Sequence, residues 1–350
     1  MKMSLTLAKK NIIRERLFEK ITGKVSPHIS IYLPAIDPYY NAIIRKEDFK
    51  HQLADAFYYL QKDYPIRDIV EIERAIYASL ELDTLNKTNN SIGFFYKEGF
   101  IKMLELPIQV SKKVVAANSF HIKPIIEIEQ MASSYYYFSL RKDRIDVYEG
   151  SPWQINKLRS YSYLDFNLTQ KNILEKKDIE TFYSQSLNDE ILRFTKDKNP
   201  IILSGVDYLQ QIFQKKTNVD ESRIILSKTS GDLKTQIFEC LKSYFPRVQK
   251  NVLNDFQSYR GTTKLLFRLD DAFKMARKGK ISKLLIASDV QQWGQQLNNG
   301  EIIQHGRQKN GQDDDLLDDM AEEVLRSGGE VFCLPKHLIP FDYNFTALLK

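Results

Sequence analysis

The chain has 350 residues, 43% hydrophobic and 27% charged, with 51 Lys and Arg against 45 Asp and Glu for a net charge of +6. That length suggests two or three domains at roughly 100–200 residues each, and the composition excludes wholesale disorder. No apolar run approaches the roughly 20 residues that span a bilayer, Met1 to Lys20 lacks the apolar centre of a signal peptide, and two cysteines, Cys240 and Cys333, exclude a disulfide scaffold and predict a reducing cytoplasm.

Three sections follow in chain order. In residues 1–130, the apolar spacing of Ile12, Ile13, Leu17 and Ile21 predicts a helix from Leu5 to Ile21. His28 to Leu33 reads as a buried strand stopped by Pro34. Helices are predicted from Lys46 to Leu60 and Asp68 to Leu80, and strands at Ser91–Tyr96, Phe100–Leu104 and Val114–Phe120. Residues 131–246 open with three short strands, Ser134–Leu140, Arg144–Tyr148 and Trp153–Leu158, separated by turn residues. They predict a β meander. A helix from about Lys177 to Arg193 follows, then strand Pro200–Gly205, helix Val206–Gln214, strand Arg223–Leu226 and helix Leu233–Tyr244. Residues 247–350 predict helices Val248–Tyr259 and Asp270–Lys278, a strand Ile281–Ala287 and a polar stretch Gly294–Asp315 holding a hairpin or a mobile loop. Helix Asp315–Ser327, capped by Gly328 and Gly329, precedes strands Glu330–Leu334 and Thr346–Leu349. The fold class is therefore α/β in three domains, the last a compact α/β/α sandwich.

The positive charge is not concentrated. Basic and acidic residues number 19 and 16 in 1–130, 17 and 15 in 131–246, and 15 and 14 in 247–350, so no section is a polybasic arm. The five histidines, His28, His51, His121, His305 and His337, have no metal-type spacing, and neither cysteine has a Cys-x-x-Cys partner. No metal, cofactor or catalytic residue is assigned. Gly205 lies between a strand and a helix, but without further glycines or a Walker lysine it reads as a tight turn. Asp313, Asp314, Asp315, Asp318 and Asp319 cluster where a helix begins, and helix capping is preferred to a divalent-ion site. The Tyr135-Tyr136-Tyr137 run reads as strand core rather than a base-stacking platform. Arg277, Lys278, Lys280 and Lys283 form the densest basic cluster. It admits both a helix-end role and an RNA-contact role.

The order of segments resembles a known family. Asp271 to Ala287 (DAFKMARKGKISKLLIA), the stretches Asp315 to Asp318 and Leu325 to Phe332, and the ending Ile339 to Lys350 resemble the C-terminal domain of archaeal and eukaryotic class I release factors and Pelota. The meander, long helix and Ile201 to Gly205 resemble that family's central domain, with a ribonuclease-H-like arrangement. The start at His28 to Pro34 resembles the bacterial archaeo-eukaryotic release factor-like branch. The resemblance implies a C-terminal sandwich similar to kink-turn-binding ribosomal proteins. It implies the ribosome or ribosomal RNA as partner, with a translational GTPase as a second, and no membrane or DNA.

Two departures matter. Release factors present a Gly-Gly-Gln loop between meander and long helix, yet Ser151 to Ser204 contains no glycine. Gly328-Gly329 lies at a helix end in another section and reads as a cap. The first section does not resemble the codon-reading domain. The expectation is a ribosome-associated, cytoplasmic factor acting in stress, rescue or hibernation without peptidyl-tRNA hydrolysis. Arg159, Lys171, Lys176 and Lys177 in the central domain, with Arg277, Lys278, Lys280 and Lys283, would meet RNA phosphates. Two other readings stay open: a hydrolase or nuclease with Asp143 and Asp146 as metal ligands, and an adaptor that binds a GTPase through Gly294–Asp315.

Overall fold

The computed structural model describes residues 26–36, 42–79, 85, 90–131, 134–162, 176–186, 199–217, 219–227, 233–297 and 300–350. The expected helix Leu5 to Ile21, the last residues of the one expected to reach Arg193, and Lys171 lie outside them. The chain divides into two compact units, Met1–Glu127 with Asp255–Lys350, and Ile128–Asn254. The expected first and third sections thus share a unit.

The first unit begins with β1 (His28–Leu33), helices α1 (Ala42–Leu60) and α2 (Ile66–Ser79), then β2 (Ser91–Lys97), β3 (Phe100–Leu106) and β4 (Lys113–Ala117). The strands form an antiparallel sheet in the order β3-β2-β1-β4. Successive side chains of a strand point to opposite faces. Ile29, Ile31 and Leu33 accordingly join Phe49, Leu53, Ile69, Ile72 and Ile76 of the two helices in one core. Each such burial contributes about 1.5–3 kcal/mol. Ser30 and Tyr32 face the other way. Gly93, opposite Tyr32, keeps that face open, since a Cβ there would lie 3.1 Å from the Phe95 ring and 3.4 Å from the Tyr32 ring. Arg45 is buried and donates to the carbonyls of Pro34, Leu85 and Asn90, tying the end of β1 to the approach to β2.

A helix not expected from the sequence, α3 (Lys123–Met131), leads into the second unit. There the predicted meander is β5 (Tyr135–Leu140), β6 (Arg144–Ser151) and β7 (Gln154–Ser162), followed by α4 (Lys176–Ser186), β8 (Ile201–Ser204), α5 (Asp207–Lys216), β9 (Ile224–Ser227) and α6 (Leu233–Ser258). The sheet order is β7-β6-β5-β8-β9, with β8 parallel to both β5 and β9. Tyr136, Phe138 and Leu140 pack with Phe182, Tyr183 and Phe213 on one face. Tyr135 and Tyr137 pack with Ile237 and Leu241 on the other. The tyrosine run is therefore divided between two cores. Gly150 is required by this packing, because a Cβ would fall 2.2 Å from Cζ of Tyr135.

The two helices expected on either side of Pro246 are one, α6, with the proline inside. Ile237, Leu241, Phe245, Val252 and Phe256 are all buried, at spacings that keep one stripe of the helix inward. That continuous burial outweighs the lost hydrogen bond of an interior proline, which costs about 3 kcal/mol.

The chain completes the first unit with β10 (Leu265–Leu266), α7 (Leu269–Arg277), β11 (Ile281–Ala287), β12 (Trp293–Gln296), β13 (Ile302–Gln304), β14 (Asp314–Asp315), α8 (Leu316–Arg326), β15 (Glu330–Leu334) and β16 (Phe345–Leu349). Sheet order is β10-β16-β11-β15, with β11 parallel to β15. Gly279 takes the left-handed conformation at φ 63° between α7 and β11. The polar stretch is a small sheet, β13-β12-β14.

Candidate functional site

The face of the first sheet left open by α1 and α2 receives residues 118–123, and these meet the start of α8. Five aspartates in seven positions are more than one helix cap needs. Asp315 does cap α8, accepting from the Leu317 N–H at 3.2 Å. It also accepts from the Gln292 N–H at 3.1 Å and pairs with the Lys123 ammonium at 2.6 Å. Asp314 accepts from the backbone N–H groups of Asn118 at 2.8 Å and Ser119 at 3.0 Å. Asp318 accepts from the Ile122 N–H at 3.2 Å and pairs with Nδ1 of His121. The Ser119 hydroxyl donates to Asp319 at 2.8 Å. Asp313 is held by Gln295, His305 and the Lys309 N–H. The capping expectation therefore holds for Asp315. The run as a whole also recognises a backbone segment about two hundred positions earlier.

His121, Lys123, Asp315 and Asp318 are 1–2% exposed in their side chains. The Tyr32 hydroxyl donates to the His121 carbonyl at 2.5 Å, and the Ser30 hydroxyl accepts from the His121 N–H at 3.0 Å. Burial pushes the Asp318 carboxyl up, but His121 and Lys123 outweigh it and hold Asp318 below the usual range. Burial pulls Lys123 down, and Asp315 and Asp318 more than restore it. Burial and then Asp318 push the Tyr32 phenol up, so it remains a neutral donor.

One ligand atom each from His121, Asp315 and Asp318 lies within 4.8 Å of the others, a spacing that could surround a metal ion. The Lys123 ammonium already sits against Asp315 and donates to the Val290 carbonyl, both at 2.6 Å. A divalent ion would have to displace this cation or sit beside it in a buried place, at a large electrostatic cost. The arrangement is an ionic lock between two parts of one unit.

The remaining aspartate pair titrates differently. Burial pushes Asp314 up to about 6, and burial followed by Asp314 pushes Asp319 well above its ordinary value. In the unfolded chain both return to near 3.8. The folded state then holds more protons than the unfolded one between these values, so this pair makes stability rise as pH falls through about 6, with the gain complete below 3.8. Asp319→Asn removes one of the two repelling charges. It is expected to raise stability at pH 7.5 by roughly 1–3 kcal/mol relative to its effect at pH 5. Denaturant midpoints at the two pH values measure this.

A cavity of about 310 Å³ lies over the lock, lined by Tyr32, Lys113, His121, Lys123, Glu127 and Asp289 among others. Sequence reasoning missed this place. Its one local signal was the excess of aspartates over what a cap requires.

The expected RNA-contact residues fall in both units. Arg159 is exposed on the edge strand β7, its guanidinium 5.4 Å from the Tyr161 ring centre. Lys176 and Lys177 are exposed in the first turn of α4, where the helix dipole disfavours cations, so that end does not explain them. Arg277, Lys278 and Lys280 are exposed at the turn between α7 and β11, and Arg277 donates to Gln296. Lys283 is half-buried and paired with Asp255, with Glu330 at 3.9 Å.

Asp146 and the polar stretch, proposed for other chemistry, are already engaged. Asp146 accepts from Arg144 and Lys157 at 2.8 Å and from Ser160 at 2.6 Å, while Asp143 is exposed. The second half of Gly294–Asp315 is not a free loop. Gln308 donates to the Ala116 carbonyl, Lys62 to the Lys309 carbonyl, and the Gly311 N–H to Asp63. Gly328-Gly329 closes α8, with the Gly329 N–H on the Val324 carbonyl at 2.9 Å, as the cap reading required.

No family model matches the chain, and no curated protein matches it. Among solved structures it is similar to an archaeal translation termination factor, aRF1, at 14% identity and TM-score 0.26, over 98% of this chain and 97% of the other. It is similar to Pelota of Archaeoglobus fulgidus at 12% identity and TM-score 0.34, over 75% and 80% of the two chains. It is also similar to Dom34 of S. cerevisiae at 14% identity and TM-score 0.36, over 74% and 86%.

Proposed function

We propose that the chain is a ribosome-associated, translation-factor-like protein that acts in stress, rescue or hibernation without hydrolysing peptidyl-tRNA. The observation that carries this reading is the stretch Asp271 to Ala287. Its sequence resembles the family's C-terminal domain, and it folds as helix α7, a left-handed Gly279 and strand β11, with Arg277, Lys278 and Lys280 exposed at the turn. Cations on a rigid turn suit phosphate contacts that position a protein without reading sequence. The proposal excludes release chemistry because the chain has no Gly-Gly-Gln, and its Gly-Gly is spent on closing α8. The partners proposed are ribosomal RNA and a translational GTPase. No helix among the described residues is long and apolar enough to cross a membrane.

Sucrose-gradient sedimentation of lysates from stressed cells tests this. The protein is expected in ribosomal fractions at low salt and to leave them as salt rises. The double variant Lys278→Glu with Lys280→Glu is expected to dissociate at lower salt, with the log–log salt slope reduced by about 1 for each phosphate that is no longer neutralised. Absence of the wild-type protein from every ribosomal fraction at low salt rejects the reading. Wild-type behaviour of the double variant rejects the role of the turn alone.

A further inference from the structure

The cavity over the ionic lock is lined by three charged groups that the lock does not use, Lys113, Glu127 and Asp289, of which Asp289 accepts from the Lys336 N–H. Lys113 stands on β4 directly opposite Tyr32 of β1, on the face that receives residues 118–123. It lines the cavity, and it has no hydrogen bond or ion pair with another described residue. Glu127 lines the same cavity from α3 and likewise has no such partner. Its natural helical partner, Lys123, is four positions earlier on the same face. That ammonium is instead taken by Asp315 and the Val290 carbonyl.

Both groups carry the mark of desolvation that their surroundings do not make good. Burial, then Lys123, pulls Lys113 below its ordinary value, and the more distant Asp318 and Asp315 offset this only in part. Burial alone pushes Glu127 up. Partly buried charges are ordinarily paired, and these two are not paired with each other. A lone anion entering the cavity would find Lys113 but also meet Glu127 and Asp289. A lone cation would find Glu127 but also meet Lys113. A molecule bearing both charges gives each group its opposite and leaves the local charge balance unchanged. The volume, about 310 Å³, is at the small end of ligand pockets.

We propose that this cavity binds a small zwitterion of the α-amino-acid class, its carboxylate on Lys113 and its ammonium on Glu127. Tyr32, residues 108–111 and Ser288–Asp289 contribute to the walls. The site joins a β4 residue to α3 beside the lock that fastens the first section to the third, so an occupant would add contacts at that junction. It stands apart from ribosome association and does not depend on it.

Calorimetric titration of the full chain with the L-amino acids, one at a time, tests the site. At least one is expected to bind with Kd below about 1 mM. Its N-acetyl derivative, which keeps only the carboxylate charge, and its amide, which keeps only the ammonium, are each expected to bind at least about tenfold more weakly. Lys113→Gln and Glu127→Gln are expected to weaken binding by a similar factor without lowering the thermal midpoint, since neither residue has a hydrogen bond or ion pair to lose among the described residues. No binding by any amino acid at about 10 mM overturns the proposal. So does equal binding of either single-charge derivative, a comparison that needs no variant, and so does unchanged affinity in the two variants.

Discussion

Asp318→Ala is expected to destabilise the first unit by about 3–5 kcal/mol, the range for deleting one member of a buried ion pair. Asp318 is 2% exposed and lies beside His121 and the Lys123 charge, each 1% exposed, so its removal strips compensation from a buried cation. The same substitution orphans the Ile122 N–H, which adds the cost of a buried unsatisfied donor. Asp318→Asn keeps an acceptor for that N–H while removing the charge, and should fall between the wild type and alanine. The two tryptophans allow the effect to be localised. Trp293 lies in the first unit and Trp153 in the second, so a Trp153→Phe background reports the first unit alone by fluorescence during urea unfolding. The sign with pH follows from Asp318 being held below its ordinary 3.8 when folded. Its contribution is fully present above 3.8 and is lost as pH falls through the lower folded value. Lys123, held above its ordinary 10.5, contributes fully below that value and loses its contribution at still more alkaline pH. The penalty for Asp318→Ala should therefore be large at pH 7 and shrink in strong acid. An unchanged urea midpoint at pH 7 would remove the lock from the account of stability.

How much of this was readable from residues depends on the range of the interaction. The strand His28–Leu33 was visible because an apolar run ends at proline, and Gly279 and Gly328 were visible as helix ends because local chemistry sets them. The meander was visible through its turns, although β7 runs to Ser162, beyond the expected Leu158. The break at Pro246 was wrong because local propensity was weighed without the buried stripe that carries α6 through it. Helix α3 was left unassigned, although Pro124 falls in its first turn, where a proline is tolerated and its fixed φ suits a helix start. The lock had no local pattern to find. His121 is an isolated histidine in sequence, and Lys123 an ordinary lysine. Their meaning comes from Asp315 and Asp318, which lie 192 and 197 positions away. The basic turn at Arg277 to Lys280 was legible as a cluster, but the engagement of Lys283 by Asp255 required the third dimension.

Asp146→Ala separates a structural carboxylate from a catalytic one in the second unit. If Asp146 were a metal ligand of a nuclease, magnesium or manganese would raise the thermal midpoint of the wild type, and Asp146→Asn would abolish both that rise and RNA cleavage. The geometry predicts otherwise. Asp146 is 4% exposed on β6 and receives three donors, the Arg144 and Lys157 cations and the Ser160 hydroxyl. Burial pushes its carboxyl up, and the bonds from Lys157, Ser160 and Arg144 more than reverse this, holding it below 3.8. It therefore stabilises the sheet above that pH and loses this contribution in acid. A metal ion would have to displace two cations to reach it. Hydrogen bonds to a charged group contribute about 1.5–3 kcal/mol. Alanine at this position is expected to cost an amount in that range, less than at Asp318. The reason for the difference is exposure: Arg144 and Lys157 are 41% and 39% exposed and stay hydrated when the carboxylate is removed, whereas Lys123, the cation beside Asp318, is 1% exposed. Urea unfolding in a Trp293→Phe background, read through Trp153, measures the cost, and a thermal scan with and without the metal ions measures the coupling. A metal-dependent rise in midpoint that Asp146→Asn erases would restore the enzyme reading. Loss of stability without any metal response leaves Asp146 as the anchor that joins β6 to the basic edge strand β7.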